Sequence, residues 1–343
     1  MKHLKFFSLL FLLSLVSINE GKIIAQVSSE ALHQKFTDEF WVIGFIRGQE
    51  IACDKVIQDL PQLKTEINSA IGHFNTYFGK VEMNIEDHII DFFGEETARK
   101  ILNQTVDSIY KLSSQFQYDI ESAHELIDII HKRAKGDIQD PYLGIMLHYQ
   151  YLNNPENEIV NGYFTTYSTL YHPKAKATDW QMKIPKSWKA VEAERPNIIQ
   201  KFISENGNGY SYALMMTKNF DLGLAENYTK EEIEIIIKEY IKTDDFLKII
   251  TDEGSEIFSK KDCKIDGIDG VMLDVGFLRQ KLDQHLYTRA LIFSFIHKNM
   301  LYMILFKNDG DAESKSSVDE YAMKYKNLYL KMANSIVVSS QYK

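Results

Sequence analysis

Between Glu121 and His131 the chain gathers Glu121, His124, Glu125, Asp128 and His131, a set of side chains able to coordinate a cation. Spacings of four and three would stack His124, Asp128 and His131 on one helix face, where imidazole nitrogens and a carboxylate could meet a divalent metal. His124-Glu-Leu-Ile-Asp128 departs from the zinc-protease pattern, because Asp stands where the second His belongs. The same residues also suit the solvated face of an amphipathic helix. A second acidic motif, Asp262-Cys-Lys-Ile-Asp-Gly267, matches a calcium loop at its first, fifth and sixth positions. Lys264 at the third and Leu273 at the twelfth remove two ligands. Gly267 and Gly270 fit a hairpin turn better, and Asp309 to Glu313 reads as an exposed acidic loop. The sequence has no Gly-x-Ser-x-Gly elbow, P-loop or dinucleotide fingerprint, and neither Cys53 nor Cys263 has a neighbouring His. No catalytic residue and no cofactor is assigned from the sequence.

A basic stretch lies further on: His172, Lys174, Lys176, Lys183, Lys186 and Lys189. With Tyr167 and Tyr171, the lysines 174, 176, 183 and 186 form the candidate binding set. They could dock an acidic partner, the acidic half of the same chain among them, or guard a strand edge against pairing. Tyr142, Tyr149, Tyr151 and Tyr163 fall in the same region, and Tyr suits places where one end is buried and the other wet. Packing at a domain junction accounts for such a concentration.

These residues must be positioned by two different kinds of element. From Ser28 to about Asn154 the apolar spacing is helical. Helices are expected over Glu30 to Gln58, from Pro61 to Phe78, from an Asn84 cap to Gly94, from Glu95 to Leu112, after Asp119 to Gly136, and from Asp140-Pro141 to Leu152. Beyond Pro155 the period falls to two. Tyr163 to Leu170, Asp179 to Ile184, Asn197 to Ser204 and Tyr210 to Thr217 read as strands, with Gly207-Asn-Gly209 as a hairpin turn. Thr229, followed by Glu231 and Glu232, opens a helix to about Thr243. Four long strands, starting near Glu256, Val271, His285 and Met300, precede a last helix from Val318 to Ile336. The expected fold class is α+β: an all-helical N-terminal domain over 27–155, then an antiparallel-sheet sandwich over 163–340.

Composition narrows the classes of function. Residues 27–150 hold 11 basic against 20 acidic side chains and residues 151–343 hold 25 against 27, so a nucleic-acid surface is not expected. Lys2 and Lys5, the apolar run Phe6 to Ile18 and a small residue at Ala25 read as a signal peptide over 1–25, which places the chain in the periplasm or outside the cell. The run is too short to span a bilayer as a helix, which takes about 20 residues. Two cysteines in an exported chain of 343 residues leave stability to packing, and the expectation is two buried free thiols.

The segment from Asp179 to Trp188, a strand ending in Ile184-Pro-Lys-Ser-Trp188, precedes paired strands, a helix, long hairpins and a terminal helix reading Ala333-Asn-Ser-Ile336. This order resembles the PsbP-like fold of an extrinsic photosystem subunit, a Ran-binding import factor and many exported bacterial proteins. The resemblance covers residues 163–340. It implies binding or assembly of proteins rather than catalysis, so an exported, non-enzymatic accessory protein of the envelope is expected, with a protein or envelope component as partner. The competing expectation is a secreted hydrolase or metal-dependent enzyme with its site between the domains.

Overall fold

The computed structural model describes residues 30–113, 116–176, 178–220, 223, 228–251, 254–281 and 284–342. The expected signal segment lies outside them. The chain divides into two compact units, one ending at Leu152 and the other beginning at Asn153. None of the described helices is long and apolar enough to cross a membrane.

The first unit is helical: α1 (Glu30–Asp59), α2 (Lys64–Phe78), α3 (Val81–Phe93), α4 (Glu95–Ser113), α5 (Ile120–Ala134) and α6 (Tyr142–Gln150). Helix α5 starts as its sequence requires, with Asp119 accepting from the Ser122 N–H at 2.8 Å and Ser122 returning a bond to the Asp119 backbone. Its last turn carries His131, Lys132 and Arg133, which suit the negative end of the helix dipole. Asn84 is not a cap. It is buried within α3 and donates to the Tyr149 carbonyl at 2.7 Å, so a tertiary partner overrides its local preference for helix starts.

The second unit opens with the short helix α7 (Glu156–Val160), then strands β1 (Phe164–Ser168), β2 (Trp180–Pro185), β3 (Lys189–Val191), β4 (Ile198–Ile203) and β5 (Ser211–Asn219). Helices α8 (Lys230–Tyr240) and α9 (Asp244–Ile250) follow, then β6 (Glu256–Ile265), β7 (Ile268–Lys281), β8 (Gln284–His297) and β9 (Met300–Asp311). Helix α10 (Lys315–Asn334) and β10 (Val337–Val338) complete the order. Seven strands form one antiparallel sheet in the order β3-β4-β5-β9-β8-β7-β6, and β1-β2-β10 form a second, smaller one. A helical first half followed by antiparallel sheets with helices is the α+β class expected. Tight hairpins set the register: Asp266 and Gly267 have φ of 49° and 84°, and Lys298 and Asn299 have 47° and 57°, as a two-residue turn with both central residues left-handed requires.

Alternation along the long strands divides the second unit's core between the two faces of the large sheet. One face packs Phe202, Met215, Phe293, Ile304 and Phe306 against Trp180, Trp188 and the α10 residues Tyr325, Leu328 and Tyr329. The other face packs Leu214, Leu273, Val275, Ile292, Leu301 and Leu305 beneath Phe246, Leu247 and Ile250 of α9. Residues Glu30 to Leu152 and this sandwich therefore each carry their own buried apolar set.

Candidate functional site

Among the described residues, the α9 face of the large sheet carries a groove with about 160 Å³ of accessible space, open to solvent. Its floor follows from strand pairing. Leu214 stands opposite Leu305 and Met216 opposite Met303 on β5 and β9, and Leu305 stands opposite Ile292 on β8. Opposed residues of an antiparallel pair share a face, so these side chains form one apolar surface. Ile249, Ile250 and Thr251 make a wall at the end of α9.

The rim of this groove is cationic. Arg195, Lys218, Arg279 and Lys307 line it, and no carboxylate is among its described lining residues. Three of these cations lie toward one end. Lys307 stands opposite Tyr212 in register, and both Arg195 and Arg279 act electrostatically on the Tyr212 hydroxyl. Burial and the neighbouring Asp309 nevertheless push that hydroxyl's pKa upward, and it donates to Asp309 at 2.8 Å. Asp309 accepts from Thr288 as well, at 2.6 Å. Lys218 stands opposite Leu301, six residues along β9 from Lys307, or about 20 Å at strand rise. Lys307 is 6% exposed, with its ammonium 5.1 Å from the Phe277 ring, and the Arg279 guanidinium lies 4.4 Å from the same ring.

The residues singled out in sequence are placed elsewhere. His131 Nδ1 lies 3.3 Å from Nδ1 of His73 on α2, His124 Nε2 lies 3.7 Å from Glu66, and Asp128 is exposed. Among the described residues no group of three or more His, Cys, Asp or Glu is arranged to hold a metal ion. Lys174 is taken up by Glu192 at 2.5 Å and by the Ala193 carbonyl; Lys176 reaches Asn197 at 3.4 Å; the Lys183 ammonium sits 4.3 Å from the Phe164 ring; Lys186 is exposed. Tyr167 stands opposite Met182, on the core side of β1-β2, where it packs on Phe202 and donates to Gln200 at 3.2 Å. Lys183, one residue on, points to the other side, so Tyr167 and Lys183 do not share a face. Tyr171 is 93% exposed, with a left-handed φ of 66°. Cys53 and Cys263 are free. Burial raises both thiols, to about 12 and about 11, which makes them poor nucleophiles at neutral pH. Cys263 is only half-buried, against the expectation of two buried thiols.

Two clusters escaped sequence reasoning. In the helical unit, Glu39 is 1% exposed and accepts from the Tyr149 hydroxyl, while its other oxygen lies 3.0 Å from His88 Nδ1. His88 and Tyr149 come from α3 and α6, and no sequence spacing announces them. In the second unit, Arg289 binds Asp274 at 2.7 Å and Asp319 at 3.2 Å, with Lys326 3.4 Å from Asp274. Two carboxylates and two cations balance here and fasten α10 to β7 and β8, which is a structural duty.

No family model matches the chain, and no curated protein matches it. Among solved structures, it is similar to a cyanobacterial PsbP, CyanoP of Synechocystis sp. PCC 6803. The two share 13% identity and a TM-score of 0.29, over 51% of this chain and 92% of the other. It is also similar to LpqN of Mycobacterium tuberculosis, a protein involved in cell envelope biogenesis, at 8% identity and a TM-score of 0.28, over 52% of this chain and 94% of LpqN. Likenesses of this size carry no argument about function, and the geometry of the groove stands by itself.

Proposed function

We propose that the chain is an exported, non-enzymatic accessory protein of the envelope whose second unit, a PsbP-like α+β domain over 163–340, binds its ligand in the groove under α9. The observation that supports this reading is an apolar floor bordered by four cations, with no lining carboxylate among the described residues. A site of this build holds a ligand by apolar contact and orients it by charge. The polar side chains among the groove's described lining residues are Arg195, Lys218, Thr251, Arg279 and Lys307, and no catalytic role is proposed for them. Lys174, Lys176, Lys183 and Lys186, with Tyr171, are retained as a separate contact surface for an anionic partner.

Methionine methyl groups test the reading directly. Met216 and Met303 line the groove, whereas Met182 and Met332 lie in the opposite core layer. With 13C-methyl methionine, a small-molecule and lipid extract of the envelope should shift Met216 and Met303 and leave Met182 and Met332 in place. If Met216 and Met303 stay fixed, the groove is not the binding site.

A further inference from the structure

We infer that the chain forms a homodimer through β6, whose open edge pairs antiparallel with β6 of a second copy in the register that sets the two Cys263 residues opposite each other. Strand β6 ends the seven-stranded sheet and is bonded on its β7 side. Lys260, Lys261, Asp262 and Lys264 are exposed, and no strand among the described residues lies beyond them. The hairpin fixes which backbone groups are open. Asp266 and Gly267 are the two central residues of the turn, so the flanking Ile265 and Ile268 exchange both of their hydrogen bonds. The register runs unbroken from Ser259 to Ile265. Counting back by two, Cys263 and Lys261 also spend their N–H and C=O groups on β7, whereas Lys264, Asp262 and Lys260 aim theirs outward. An open row of this kind is a template for another strand.

Charge selects the occupant and the register. A second β6 can add only with its own outward residues opposite these, so a symmetric pairing is centred on a residue that faces its own copy. Centring on Lys260, Lys261, Asp262 or Lys264 sets like charges directly opposite each other, which destabilises the pair. Centring on Cys263 sets Asp262 opposite Lys264 of the second copy, and by symmetry Lys264 opposite its Asp262. Lys261 then meets Ile265, and no like charges stand opposite within residues 260–264. Isolated edge lysines guard against pairing, but here the outward Lys264 finds a carboxylate through the twofold axis. Within the chain Lys264 lies 3.3 Å from Asp269, with its side chain 67% exposed, and Asp262 acts on Lys242. Exposed pairs of this kind are worth roughly 0–1 kcal/mol and yield readily to a new partner. Lys260 is turned to the Lys242 carbonyl at 2.5 Å and is not part of the contact. A twofold contact uses up both β6 edges, so assembly stops at two copies.

The test is sedimentation of the full-length protein at NMR concentrations, where the parent should be a dimer. Asp262→Lys and Lys264→Asp each turn two cross-strand attractions into two repulsions, so each variant alone should dimerise at least about tenfold more weakly. Mixed in equal amounts, the two variants meet with opposite charges at both pairs and should recover the parent's dimer, as should the double variant Asp262→Lys/Lys264→Asp. Lys261→Asp changes net charge as Lys264→Asp does, away from the pairs, and should leave the dimer in place. A monomeric parent would overturn the inference. So would a dimer that withstands Lys264→Asp, or a failure of both the mixture and the double variant to recover it.

Discussion

Glu158 and Ser187 are joined by two hydrogen bonds to one carboxyl group: the Ser187 N–H donates at 2.7 Å and its hydroxyl at 2.6 Å. The pair ties α7 to the turn after β2, beside Trp188, and Glu158 is 2% exposed. Burial pushes its pKa up to about 8, with the Ser187 bonds pulling the other way. Between the ordinary carboxylate value and about pH 8 the folded chain therefore holds a proton that the unfolded chain has released, so stability falls as pH rises through that window. Glu158→Gln keeps an acceptor for the Ser187 N–H and removes the titration. Its melting temperature should change less than that of the parent between pH 5 and 8; parallel profiles would show that Glu158 does not carry the effect.

Trp188 stands edge-on to Tyr325 and Tyr329, with ring centroids 6.3 Å from each, and is 7% exposed. Trp188→Ala removes the contact between the Pro185 turn and α10 and should cost about 3–5 kcal/mol in urea unfolding. An unchanged midpoint would mean that α10 is held without it.

In the helical unit, Tyr149→Phe deletes the hydroxyl that donates to the buried Glu39 carboxylate. His88 remains beside that group, and a stability loss of about 1–3 kcal/mol is expected in thermal denaturation of the full chain. Glu39→Gln together with Tyr149→Phe should lose less than the sum of the two single changes, because the double variant no longer leaves a charge unpaired.

The elements were legible where the signal is local. Asp119 and Thr229 cap α5 and α8 through side chains three residues away, and Asp266-Gly267 forces a hairpin, so neighbouring residues suffice to place them. Strand β3 has only three residues, too few to show alternation, and α9, seven residues long behind its own Thr243 cap, lies beyond the helix expected to end at about Thr243. The groove was not legible. Tyr212, Leu214, Met216 and Lys218, like Leu301, Met303, Leu305 and Lys307, alternate visibly as strands. Their common face exists only once β5 pairs with β9, a register that sequence spacing does not state. The lysines of residues 174–186 were conspicuous because they are close in sequence, and the fold sends them to different neighbours.

The claim that binding occurs on this sheet face is tested most directly by titrating the envelope extract into the protein with 13C-methyl methionine. The methyls of Met216 and Met303 should shift, while those of Met182 and Met332, across the sheet, stay in place. Equal shifts at all four positions, or none at Met216 and Met303, would contradict the account.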